Sequence, residues 1–334
     1  MRPLPLLVSH PEKPESVKDI GIDLGFDQGE IGLAMRLYAK RIPPLVNRGC
    51  LPYLFGVSGR LVASIERKPA PFYRIYSITK ATGGKRQIEA PRRFLKLIQA
   101  WINTRICSHM YVPGCVIGFV KGRSIFDNGK VHARSKNLMV VDIKDFFPNV
   151  NLEKVGRVFS SLGLPEEVSL QLGRLCCLDG RLPQGAPTSP ALANQVFREA
   201  DELLKKEAKR WHCRYTRYAD DLAFSGSRRF TQKDVARVGE IIGRFGFSIN
   251  RKKTRIVGQG ARQILTGLVV NRKALPPREK RRLWRAIFHK ASEHPREFSN
   301  EVSTLIGIAS YVNHFSPTLR EKYMNIAMKV HRGR

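Results

Sequence analysis

The chain predicts an α+β fold in which a small antiparallel sheet is backed by helices, and three observations carry that reading. Residues 138–141 form a continuous apolar run, Leu-Met-Val-Val, that ends on Asp142, as a buried strand delivering a carboxylate does. Residues 214–218 and 222–224 are β-prone runs flanking Ala219, Asp220 and Asp221, which reads as a hairpin whose turn carries two adjacent carboxylates. Helical apolar spacing at 190–210 and 230–245 completes the order strand, helix, hairpin, helix.

The remaining elements follow in sequence. The first sixty residues are punctuated by Pro11, Pro14, Pro43, Pro44 and Pro52, with a short helix expected near 29–40 and no assignable chemistry. A β-rich run at 73–78, the pair Gly83 and Gly84, and a second run at 85–89 read as a hairpin with Lys85 and Arg86 at its tip. Residues 93–106 have helical apolar spacing. After Pro276 and Pro277 the chain reads as all-helical and basic, with Trp284 in its core.

Composition narrows the partners. Lys and Arg number 59 against 28 Asp and Glu, giving +31 and a pI near 10.4, far more charge than solubility needs and the signature of a polyanion partner, nucleic acid first. No apolar run approaches the ~18 residues of a membrane span, and residues 1–10 are too short and proline-broken for a signal peptide, so a soluble, intracellular, membrane-free protein is expected. Six cysteines without a C-x-x-C spacing exclude a disulfide framework and argue against zinc.

Adjacent Asp220 and Asp221 repel each other unless one takes up a proton or a divalent cation joins them, and such an ion serves nucleotidyl transfer. Asp142, delivered by its strand beside that hairpin, makes a third carboxylate; together the three can hold two magnesium ions for an in-line displacement. The plainer readings are an Asp-rich turn at 220–221, a strand-end cap at Asp142 and a solvated turn at Asp145. Phe146 and Phe147 face opposite ways, so one is core; Phe147 either lies under an incoming sugar and excludes a 2′-hydroxyl or simply packs. Residues 182–190, Leu-Pro-Gln-Gly-Ala-Pro-Thr-Ser-Pro, form either a loop that brings Gln184 close to a base or sugar or a plain loop capped by Ser189. Lys85 and Arg86 either clamp a triphosphate or remain solvated.

Asp142-x-x-x-x-Phe147, the Leu182 to Pro190 segment and Tyr218-Ala219-Asp220-Asp221 occur in order, and together they resemble the motifs of reverse transcriptases, over residues 73 to the C-terminus. The resemblance implies a right-handed fingers, palm and thumb architecture: an N-terminal segment at 1–60, interleaved fingers and palm at 61–272, and a helical basic thumb at 273–334. It implies Asp142, Asp220 and Asp221 as catalytic ligands of two Mg2+ ions, deoxynucleoside triphosphates as substrates, and Phe147 as sugar gate. Gln184 would contact the incoming nucleotide, with Lys85 and Arg86 at its phosphates. Asn250-Arg251-Lys252-Lys253-Thr254 is similar to the family's N-x-x-K-T segment, in which Lys253 either protonates pyrophosphate or belongs to a solvated basic run.

Two further elements resemble bacterial retron reverse transcriptases. Asn128-Gly129-Lys130-Val131-His132 is similar to N-A-x-x-H with glycine for alanine, and Leu265-Thr266-Gly267 to V-T-G with leucine for valine. The resemblance makes Asn128, His132, Thr266 and Gly267 candidate RNA-binding residues; the local alternatives are a turn, a satisfied core histidine and a strand bend. It implies a cognate noncoding RNA serving as template and primer, a branched RNA-linked single-stranded DNA product, an effector protein in phage defence and a bacterial cytoplasmic location. About sixty residues follow the Leu265 to Val270 segment, fewer than the ~100 of a ribonuclease H domain, so host ribonuclease H is expected to remove template. The alternatives are an intron-type or diversity-generating reverse transcriptase, and an RNA-binding scaffold that cages an effector without synthesis.

Overall fold

The structure, a computed structural model, describes residues 14–79 and 83–332. Chain contacts divide it into two compact units, each assembled from separate stretches of sequence.

The first unit takes Met1–Val120, Ile143–Leu203 and Gly239–Ser248. Its helix Gln28–Ala39 begins at a side-chain cap: Asp27 accepts from the Glu30 backbone while Glu30 reaches back to Asp27, closing a capping box. Strands β1 (Tyr73–Thr79) and β2 (Lys85–Pro91) pair antiparallel from Tyr73↔Pro91 to Thr79↔Lys85, with Gly83 and Gly84 at φ 81° and 79° in the turn. The expected helix at 93–106 is Arg93–Arg105. The continuous helix expected over 190–210 is instead two, Ser189–Val196 and Arg198–Arg210. The chain breaks at Phe197, whose fully buried ring stands edge-on to Phe146 at 5.7 Å and to Phe247 at 5.0 Å. Aromatic packing there overrides helical continuity.

The second unit takes Lys121–Asp142, Leu204–Val238 and Ile249–Arg334. Its sheet combines β3 (Asn137–Asp142), β4 (Arg214–Tyr218), β5 (Asp221–Gly226) and β6 (Arg255–Gly258) in the order β4-β5-β3-β6, every neighbour antiparallel. Because side chains alternate along a strand, the register places Asp142, Val140 and Leu138 of β3, Asp221, Ala223 and Ser225 of β5, and Thr216 of β4 on one face. The Ile125–His132 helix covers that face, with Phe126 packed among Leu138, Val140 and Ala223. On the opposite face Phe224 meets Tyr215 and Trp211.

The hairpin β7 (Ile264–Leu265) and β8 (Leu268–Val269) joins the first of these clusters through Leu265 and Leu268. The C-terminal stretch is helical, as expected: Arg278–Glu293, Val302–Val312 and Pro317–Arg332 enclose Trp284, Leu305 and a stacked Phe288–Tyr323 pair. Cys50, Cys107, Cys115, Cys176 and Cys177 are buried thiols, and burial pushes Cys176 up to about 12. Among the described residues no helix is long and apolar enough to cross a membrane.

Candidate active site

Two of the three predicted carboxylates are brought together by strand register. Asp142, the last residue of β3, lies opposite Asp221, the first residue of β5. Residues paired in this way have Cβ atoms about 4.5–5.5 Å apart, so like charges confront each other across the ladder. Asp220 precedes Asp221 in the two-residue loop that closes β4 onto β5 at Tyr218↔Asp221. Beside it Ala219 holds φ 56°, a left-handed conformation that glycine takes more readily and that costs a Cβ-bearing residue about 1–2 kcal/mol. Backbone strain is therefore stored next to the carboxylate at the tip.

Burial pushes the Asp221 carboxyl up from 3.8 to about 6, and the charges of Asp220 and Asp142 push the same way. Asp142 is 4% exposed; its Oδ2 accepts from Lys253 Nζ at 2.9 Å, while its Oδ1 is buried without a hydrogen-bond partner among the described residues. The Asp142 bond in turn holds the Lys253 ammonium above the ordinary lysine range. The Asn250 N–H donates to the Asp142 carbonyl at 2.8 Å, so the start of the N-x-x-K-T segment is tied to the end of β3.

Among the described residues no group of three or more His, Cys, Asp or Glu side chains is arranged to hold a metal ion as it stands. The donor chemistry nevertheless fits a hard divalent cation: oxygen ligands alone, one of them orphaned and buried on Asp142, and a neighbouring carboxylate whose ionisation two other charges oppose.

Asn128 and His132, the expected RNA-binding candidates of the Ile125–His132 helix, are both buried. Asn128 is 1% exposed and His132 fully enclosed; the histidine ring meets Ser225 Oγ through Nδ1 and Thr216 Oγ1 through Nε2, both at 2.7 Å. The satisfied core histidine is what the structure contains, and burial with the nearby Arg214 charge drives its pKa down to about 3, so the ring is neutral. Thr266 and Gly267 form the two-residue turn between β7 and β8 at φ 46° and 79°. The Thr266 hydroxyl is buried and unpartnered among the described residues, whereas Gly267 is exposed.

In the first unit Phe146 is the core member of its pair, 4% exposed, and Phe147 is half-buried with its ring 5.9 Å from Phe119. Asp145 is exposed at φ 47°, the solvated turn of the plainer reading. Lys85 and Arg86 are exposed at the start of β2.

Gln184 is half-buried and locked to that hairpin by its backbone: its carbonyl accepts from the Glu89 N–H at 2.8 Å and its N–H donates to Glu89 Oε2 at 3.3 Å. Gly185 follows at φ 133°, where a Cβ would lie 3.2 Å from the Glu89 carbonyl. Glu89 itself takes a two-pronged bond from Arg181 at 2.7 and 2.9 Å, which lowers its pKa. Neither Glu89 nor Arg181 belongs to a motif legible in the sequence. The signal available was one buried-strand glutamate in an otherwise basic hairpin.

The reverse transcriptase (RNA-dependent DNA polymerase) family matches residues 78–275. The chain is 34% identical to the retron Mx162 reverse transcriptase of Myxococcus xanthus over 75% of this chain and 59% of that protein. It is 33% identical to the retron Mx65 reverse transcriptase of the same organism, over 77% and 64%. With the retron Ec86 reverse transcriptase of Escherichia coli the identity is 37%, over 65% of this chain and 69% of that one. The chain thus spans about three-fifths of the length of the two Myxococcus relatives.

Proposed function

The chain belongs to the reverse transcriptase family and, within it, to the bacterial retron reverse transcriptases, and from that premise we propose that it is an RNA-directed DNA polymerase acting on a cognate structured noncoding RNA. The observation that carries the proposal is the facing pair Asp142 and Asp221 beside the strained tip at Asp220, with one Asp142 oxygen left unsatisfied. A site built this way stores repulsion that a divalent cation relieves.

Asp142, Asp220 and Asp221 would hold two Mg2+ ions, which lower the pKa of an attacking hydroxyl and neutralise charge on the triphosphate. Lys253, kept protonated beside Asp142, is a proton donor to departing pyrophosphate. Gln184, held by the Glu89–Arg181 bracket, contacts the incoming deoxynucleotide; Lys85 and Arg86 bind its phosphates; Phe147 excludes a 2′-hydroxyl. The functional division is fingers and palm over 61–272 and a basic thumb over 273–334 that grips the RNA–DNA duplex by its backbone. RNA contact near the β7–β8 turn falls to exposed Gly267 rather than to the buried Asn128 and His132.

The product is a branched RNA-linked single-stranded DNA, with template removed by host ribonuclease H and an effector protein as partner in phage defence. The test is primer extension by wild type and Asp220→Asn on a poly(rA)·oligo(dT) duplex. Loss of extension with duplex binding kept supports the reading; an active variant refutes the metal assignment.

A further inference from the structure

His132 is the most enclosed imidazole of the second unit, and the hydroxyls of Thr216 and Ser225 fix its tautomer. Thr216 Oγ1 donates to Asn128 Oδ1 at 2.5 Å, so toward the ring it accepts, and His132 Nε2 carries the proton. A neutral ring then leaves Nδ1 as acceptor for the Ser225 hydroxyl. The Ser135 hydroxyl lies 2.9 Å from both the Ser225 hydroxyl and the His132 carbonyl, between which its single proton is shared, and it accepts from the Arg214 guanidinium.

The run joins one helix to both arms of one hairpin. Asn128 and His132 are four apart in the Ile125–His132 helix and so share a face. Thr216 lies on β4 and Ser225 on β5, two and four residue pairs back from the Tyr218↔Asp221 pair that closes the turn, about 7 and 13 Å away along the strands. Both hydroxyls occupy the sheet face that carries Asp142 and Asp221. The helix is itself fixed from another side: Phe126 stacks on His314 at 4.8 Å and an angle of 8°.

We propose that His132 is a positioning residue for nucleotidyl transfer, clamping β4 to β5 through Thr216 and Ser225 so that the Ala219 and Asp220 loop keeps its strained conformation. The inference rests on the polymerase reading given above. It assigns to the N-x-x-x-H element of this chain an internal mechanical role in place of RNA contact. A displacement of the order of 1 Å at reacting groups lowers turnover about 100-fold, which sets the expected effect.

The experiment compares wild type, His132→Leu, His132→Gln and Thr216→Val by steady-state dTTP incorporation on poly(rA)·oligo(dT), with duplex affinity by fluorescence anisotropy and melting temperature alongside. The proposal expects kcat roughly 100-fold down in His132→Leu, with duplex Kd unchanged within about threefold. It expects partial recovery of kcat in His132→Gln, whose amide can still donate to Thr216. A weakened Kd with kcat retained would restore RNA contact and overturn the proposal. If His132→Leu does not fold, Thr216→Val decides: it keeps side-chain shape, and full kcat in that folded variant overturns the clamp. An inactive wild type would instead defeat the polymerase reading.

Discussion

Replacing Asp221 with asparagine should stabilise the metal-free protein at neutral pH while ending its catalysis. Burial and the charges of Asp220 and Asp142 raise the Asp221 pKa from 3.8 to about 6. Between those values the folded state binds more protons than the unfolded state, so stability falls as pH rises through the window and the full cost is present above pH 6. At about 1.4 kcal/mol per pH unit the shift corresponds to about 3 kcal/mol, and partial solvent access reduces the realisable gain to roughly 1–2 kcal/mol. Asparagine carries no charge to oppose, so Asp221→Asn recovers that amount at pH 7.5 and nothing at pH 4, where the wild-type carboxyl is protonated. Thermal or urea unfolding in EDTA at both pH values measures it. A gain of equal size at pH 4 and 7.5, or a loss at 7.5, would refute the argument that facing carboxylates are held against their own repulsion.

Other perturbations have equally definite outcomes. Phe147→Val should admit ribonucleotides, read as a fall of at least tenfold in the preference for dTTP over UTP; unchanged discrimination returns Phe147 to a packing role beside Phe119. Gly129→Ala should destabilise by about 1–2 kcal/mol, because its Cβ would sit 2.7 Å from the Ala274 Cβ, partly offset by about 1 kcal/mol of helix propensity. Adding Ala274→Gly should restore most of the loss, and additive effects in that double-mutant cycle would contradict the contact. Glu89→Gln should cost about 1–3 kcal/mol in urea unfolding and raise the KM for dNTP, since Arg181 loses its charge partner and one of the two oxygens it bonds becomes an NH2 donor facing the guanidinium. An unchanged KM would separate that bracket from nucleotide binding.

What the sequence disclosed was local. A four-residue apolar run ending on Asp142 and two β-prone runs around Asp220 are patterns a strand and a hairpin must show, and the family resemblance then joined them. What it hid was direction and distance. Four-residue spacing places Asn128 and His132 on one helix face but does not say whether that face meets RNA or the sheet; the two hydroxyls that decide it lie 84 and 93 residues from His132. The Lys253 to Asp142 contact spans 111 residues and the Arg181 to Glu89 bracket 92, so neither leaves a periodic trace. The break at Phe197 is a packing decision, made by Phe146 and Phe247, that helical propensity along 190–210 does not contain.

The glycine in place of the alanine of N-A-x-x-H also acquires a reason. Helix Ile125–His132 lies so close to the segment after β8 that a methyl at 129 would meet Ala274, Leu268 and Val270 together. The two elements that resemble retron enzymes therefore pack on one cluster, with Leu265 and Leu268 beside Phe126.

The most direct test is to express the chain with its native upstream DNA, purify it, and treat the copurifying nucleic acid with ribonuclease, deoxyribonuclease and debranching enzyme. The expected product is a short single-stranded DNA joined to RNA through a branch, absent from the Asp220→Asn variant. Recovery of no such DNA from a wild-type protein that extends an added primer would contradict the retron reading and favour an intron-type enzyme.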